Sequence, residues 1–104
     1  LLAKNFLRQS NIKIGDYFLD LNSRKISKDK KSINLTEKET QLITFIIFNK
    51  IVSLKDIQKL VWNYSADLET HTVETHIYRL RKKFLEVFSD NNFIVHNKKG
   101  YFIN

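Results

Sequence analysis

The sequence predicts an α+β domain: an N-terminal antiparallel β-meander, three helices, and a closing β-hairpin. Three observations predict it. Short apolar runs separated by turn residues fill residues 11–35, which suits small strands. Two N-capping patterns, Thr36 with Glu39 and Ser53 with Asp56, each open a segment with apolar residues at helical spacing. At the C-terminal end, Asn97 and Gly100 take the first and fourth places of a four-residue turn between two short runs.

The meander strands are centred on Ile12 and Ile14, on the YFLDL run at 17–21, on Ile26, and on Ile33 with Leu35. Gly15-Asp16, Asn22-Ser23 and Asp29-Lys30 supply the turns. The first helix takes Thr36 as its N-cap, with Glu39 returning the hydrogen bond and Glu37 placing negative charge at the positive end of the dipole. Leu42, Ile43, Phe45, Ile46 and Ile47 make this helix broadly apolar and therefore buried. The second helix opens at Ser53, carries Leu54, Ile57, Leu60 and Val61, and ends near Trp62-Asn63. NYSADLETH at 63–71 forms a polar loop.

The third helix runs from about Thr72 to Phe88, with Val73, Ile77, Leu80, Phe84 and Phe88 in one apolar stripe. Its opposite face presents His71, Thr75, Tyr78, Arg79, Lys82 and Glu86. Side chains of this kind can reach base edges while cations meet phosphates, as in a helix lying in a DNA major groove; the pattern also fits an ordinary solvated face. Phe93–His96 and Tyr101–Asn104 are the hairpin strands, with Lys98 and Lys99 at the tip.

A chain of 104 residues is one domain's worth, and 42% hydrophobic residues supply its core. With no cysteine there is no disulfide, thiolate metal site or thiol chemistry. Two glycines cannot write the usual phosphate-cradling loops of nucleotide enzymes. No apolar stretch approaches the roughly 18 residues of a membrane span. His71 and His76 stand about 140° apart around a helix, unlike a metal-binding pair, and His76 is placed as a packing residue. The domain is therefore expected to have no catalytic centre, metal or cofactor.

Lys and Arg outnumber Asp and Glu by 18 to 11, a net charge of +7 that suits a polyanionic partner. The charge is +5 over residues 1–34, −1 over 35–70 and +3 over 71–104, which makes the middle the least cationic part. The chain begins Leu-Leu without an initiator methionine, which is expected of a piece of a longer protein.

Four stretches, LTEKETQLITFI at 35–46, VSLKDIQKLVWN at 52–63, THTVETHIYRLRKKF at 70–84 and GYFI at 100–103, resemble the OmpR/PhoB-type DNA-binding domain of bacterial two-component response regulators. The resemblance covers most of residues 12–104 and implies a winged helix-turn-helix at 11–104 that binds double-stranded DNA sequence-specifically to control transcription. It implies a recognition helix at about 72–88, with Thr75, Tyr78, Arg79 and Lys82 toward bases or groove walls. Trp62, His71, Thr72, Arg81, Lys83 and Tyr101 are implied as phosphate contacts, and the hairpin at 93–104 as the wing. Where the family commonly has Arg-Gly in the wing, this chain has Asn97, Lys98 and Lys99 before Gly100, and Lys98 is the substitute contact. Tyr78 stands where relatives often carry a second basic residue. Asp67 and Glu69 correspond to a loop through which family members touch RNA polymerase. The opening LLAKNFLRQ resembles the end of a receiver domain's last helix, so residues 1–10 are expected to be linker or receiver end. A homodimer on DNA, a monomer as an isolated fragment, and a bacterial cytoplasmic location complete what the resemblance implies. The alternative is a protein–protein docking module of the same fold.

Overall fold

The computed structural model describes residues 11–61 and 71–103, with the side chain of His71 excepted. Four strands, β1 (Asn11–Ile14), β2 (Tyr17–Asp20), β3 (Lys25–Lys28) and β4 (Lys31–Asn34), form an antiparallel sheet in chain order. Side chains alternate across a strand, so the register decides which residues meet the core. Ile12, Leu19, Ile26 and Ile33 stand in one cross-strand row against the core, whereas Lys13, Phe18, Ser27 and Ser32 form a row on the other face. The β2–β3 turn is held by Asp20, whose Oδ1 accepts from the Asn22 and Ser23 amides at 3.0 and 3.4 Å. Hydrogen bonding, the Ser23 side chain foremost, holds the Asp20 carboxyl below the usual range.

Helix α1 (Glu37–Asn49) starts with the expected reciprocal cap: Thr36 Oγ1 accepts from the Glu39 amide at 3.1 Å, and Glu39 Oε1 accepts from the Thr36 amide at 2.9 Å. Its burial is narrower than its composition suggests. Leu42, Ile43 and Ile46 are buried, but Phe45 and Ile47 are only partly covered and Phe48 is exposed, because the core lies along one side of the helix. Helix α2 (Leu54–Val61) is capped by Ser53, whose Oγ accepts from the Asp56 amide at 3.1 Å. Ile57 and Val61 are buried, while Leu60, expected in the core, points outward and is 63% exposed.

Between these helices lies a strand the sequence did not announce, β5 (Ile51–Val52). Two apolar residues after an apolar helix look like its tail; Lys50, at φ 68°, turns the chain instead. β5 pairs with β7 (Gly100–Ile103), which also pairs with β6 (Ile94–Asn97), so the closing hairpin becomes a three-stranded sheet. The hairpin register is the expected one, His96 opposite Tyr101, although each strand is shifted by one residue from its expected bounds; Asn104 lies outside the described residues.

Tyr17 joins the two halves of the molecule. Its ring meets Phe84, Phe88 and Phe93 edge-on with centroids 5.0–5.3 Å apart, and Phe84 stacks on Phe93 at 4.0 Å. The Tyr17 hydroxyl donates to Asp90 Oδ2 at 2.6 Å. Burial, and then this carboxylate, push the phenol far above its ordinary value of 10.0.

Two predictions follow from this packing. A Cβ on Gly100, at φ +141°, would run into the Val52 carbonyl, whereas one on Gly15, at φ +59°, meets nothing within 4 Å. Gly100→Ala should therefore cost more than the roughly 1–2 kcal/mol of left-handed strain set for Gly15→Ala, as seen in denaturant midpoints. Because the Tyr17 phenol is held protonated in the fold, its contribution is present below the ordinary value of 10.0 and is lost as pH rises above it. Alkaline unfolding followed by circular dichroism should show a fall in stability that is smaller in Tyr17→Phe; an unchanged fall would contradict the assignment.

Candidate nucleic-acid interface

Helix α3 (His71–Phe88) is divided lengthwise by burial. Val73, Ile77, Leu80 and Phe84 are at most 2% exposed, and Phe88 packs partly against the same core. On the other side, Thr72, Tyr78, Arg79 and Lys82 are exposed, with Thr75 half-buried beside them. Thr75, Tyr78, Arg79 and Lys82 are three and four residues apart, so they share one surface of the helix. His76 lies half-buried at its flank.

Two polar links set the helix in place. Lys83 Nζ donates to Glu39 Oε1 at 2.8 Å, the same oxygen that accepts from the Thr36 amide, so the α1 cap also grips α3. Arg81 Nε donates to the Ile94 carbonyl at 3.1 Å, and its guanidinium lies 5.9 Å from the Tyr101 ring centre. Tyr101 is itself buried and stacked on His96 at 4.2 Å. Burial, with the nearby Glu74 charge, raises its phenol above the ordinary value. A third link orients α2: Lys38 Nζ donates to the Val61 carbonyl at 2.9 Å, placing a cation at that helix's negative end.

The structure therefore separates the residues assigned to phosphates. Thr72 is exposed, but Lys83 and Arg81 are engaged within the fold, and the Tyr101 ring belongs to the core. The resemblance implies all three as phosphate contacts; the burial of Glu39 beside Lys83 and the Ile94 carbonyl beside Arg81 are tertiary facts that no local pattern shows. Trp62, Asp67 and Glu69, and the side chain of His71, lie outside the described residues. The backbone of His71 opens α3 rather than closing the preceding loop.

At the hairpin tip, Asn97 Oδ1 accepts from the Lys99 amide at 2.8 Å and the Gly100 amide at 3.2 Å. This side-chain turn leaves Lys98 and Lys99 exposed. One residue on α3 escaped the sequence analysis: Leu85 is 50% exposed and, with Tyr78, Arg81, Lys82 and Asn91, lines a recess of about 400 Å³. Its spacing of seven from Tyr78 was the available signal, but an isolated leucine in an amphipathic helix is ordinarily counted with the core. Among the described residues no cluster of His, Asp and Glu could hold a metal ion, and no helix is long and apolar enough to cross a membrane.

This arrangement of meander, three helices and three-stranded hairpin sheet has known counterparts. Residues 29–103 match the family described as transcriptional regulatory protein, C terminal. The chain belongs to this family of OmpR/PhoB-type DNA-binding domains. The domain is 33% identical over 91 residues to the transcriptional regulatory protein TrcR of Mycobacterium tuberculosis, covering 86% of this chain and 34% of that one. It is 32% identical over 74 residues to SrrA of Staphylococcus aureus, covering 69% of this chain and 31% of the relative. The chain thus spans about a third of the length of these relatives. In fold, the domain resembles the DNA-binding domain of Escherichia coli CadC, with a TM-score of 0.76 at 22% identity over 92% of each chain. It also resembles the DNA-binding domain of the response regulator AdeR, solved in complex with an intercistronic region, at TM-score 0.73 and 21% identity over 89% of this chain and 98% of that one. The winged-helix architecture is accordingly that of a DNA-binding domain acting in transcription control.

Lys83 gives a direct check on the separation of structural from outward-facing cations. Because its side chain is 38% exposed while Glu39 is 5% exposed, Lys83→Met should cost about 1–2 kcal/mol, below the full cost of opening a buried pair. The salt dependence of duplex binding should stay unchanged. Unchanged stability with a slope shallower by about 1 would instead make Lys83 a phosphate contact.

Proposed function

We propose that this domain reads a specific double-stranded DNA sequence by laying α3 in the major groove and setting the hairpin tip against the neighbouring backbone or minor groove. One observation carries the reading: Tyr78, Arg79 and Lys82, with half-buried Thr75 beside them, form an outward face on a helix whose opposite face is fixed in the core. Arg79 can present two donors to a guanine edge, Thr75 a hydroxyl to a base or phosphate, and Tyr78 an aromatic surface to a sugar or thymine methyl. Lys82, Lys98 and Lys99 supply charge for phosphates, with Lys98 the wing contact in place of the family's arginine. Thr72 and the His71 position, at the start of α3, suit a phosphate near the positive end of the helix dipole. Trp62 is assigned to the same backbone. Arg81 and Tyr101 act on DNA mainly by fixing the hairpin against α3.

The larger setting of this reading is a two-component response regulator in the bacterial cytoplasm. Residues 1–10 join the domain to an upstream receiver, the acidic Asp67 and Glu69 face RNA polymerase, and two copies occupy paired half-sites about one helical turn apart. Membership of the family, and the full-length regulators TrcR and SrrA that this chain matches over a third of their length, support that setting.

Selection from a randomised duplex library should enrich one motif, and Arg79→Ala should lose about 1–3 kcal/mol and blur a single base step of it. An unchanged motif would put the reading face elsewhere. Replacing Lys98 and Lys99 together with alanine should weaken all sequences alike and lower the salt slope by about 2. A slope that does not move would take the hairpin tip out of the interface, and binding to no duplex at all would favour a protein-docking role for the same surface.

A further inference from the structure

Helix α1 carries a surface that lies outside the proposed DNA interface and that the core covers only in part. Beside its buried side, Phe45 is half-covered and Phe48 is 64% exposed; with Leu21, Gln41 and Thr44 they line an open groove of about 460 Å³. Its polar side chains are turned onto their own helix. Thr44 Oγ1 donates to the Thr40 carbonyl at 2.7 Å, Asn49 Nδ2 to the Phe45 carbonyl at 2.8 Å, and Gln41 Nε2 to Glu37 Oε1 at 3.3 Å. The groove thus favours an apolar occupant over a polar one.

The chain supplies such an occupant at the right place. β1 begins at Asn11, which stands opposite Asp20, and Leu21 on the groove wall is the next residue of that turn. An antiparallel continuation of this register past Asn11 would set the preceding residue opposite Leu21. That preceding stretch, LLAKNFLRQS, is half apolar, with Phe6 and Leu7 nearest to β1. Leu7 is four residues from Asn11, a reach of up to about 14 Å. The groove wall from Gln41 to Phe48 is about 10 Å of helix, so the reach suffices.

We propose that the α1 groove seats the chain's own residues 1–10, with Phe6 and Leu7 as the apolar anchors against Phe45 and Phe48. The sequence contains no cysteine, so an introduced pair reports without background. In the 104-residue chain, Arg8→Cys with Gln41→Cys keeps both anchors and should form an intramolecular disulfide about tenfold faster than Arg8→Cys with Phe18→Cys, whose partner lies on the opposite face of the sheet. Adding Phe6→Ser and Leu7→Ser should abolish that preference, while circular dichroism confirms that the fold persists. Equal rates for the two pairs, or a preference that survives loss of the anchors, would overturn the proposal. Disulfides formed between chains would assign the groove to a second copy instead.

Discussion

The whole arrangement depends on the one-sided burial of α3. A helix can present a continuous polar face to a groove only if its other face is fixed well enough that the polar face has one orientation. Val73, Ile77, Leu80 and Phe84 do most of this, being the side chains through which α3 enters the common core. Such burial contributes roughly 1.5–3 kcal/mol for each large side chain, far more than any surface ion pair. Apolar contact alone is non-directional, however, and permits rotation and sliding. The Glu39–Lys83 pair and the Arg81 bond to the Ile94 carbonyl are directional, and they hold the helix to α1 on one side and to the hairpin on the other.

The economy of the α1 N-terminus follows from this. Glu39 Oε1 serves the capping box and α3 with one atom, and Lys38, its neighbour, reaches the end of α2. The first turn of α1 therefore touches both other described helices through polar contacts. The aromatic cluster around Tyr17 does the equivalent at the far end of α3, where β2, the helix and the approach to β6 converge. Buried along one face and tied by these contacts through its C-terminal half, α3 can carry an exposed tyrosine, arginine and lysine without the cost of ordering the helix at the moment of binding.

Much of this was legible in the sequence because it is local. Both N-caps, the meander turns, the α3 stripe and the hairpin register depend on residues within a few positions of one another, and each is found where the spacing put it. What was not legible depends on distant partners. Lys83 and Arg81 look like any cations on a basic helix until Glu39 and the Ile94 carbonyl are known to lie beside them. Phe45, Ile47 and Leu60 look like core because apolarity does not say which side of a helix has a neighbour. β5 is too short to show a period, and only its pairing with β7 makes it a strand. On the candidate interface, the sequence pattern shows that Tyr78, Arg79 and Lys82 share one helix face, which is exposed, and does not show that Arg81 and Lys83 also bond within the fold.

The central claim is that the outer face of α3 and the tip of the hairpin form one DNA-contacting surface, with the four-stranded sheet outside it. Amide chemical-shift mapping of the isotopically labelled chain, titrated with a selected duplex, tests this most directly. The account predicts the largest changes at Thr72, Thr75, Tyr78, Arg79 and Lys82 and at Lys98 and Lys99, with Lys13, Phe18 and Ser27 unmoved. Largest changes on the sheet face, with α3 silent, would contradict it.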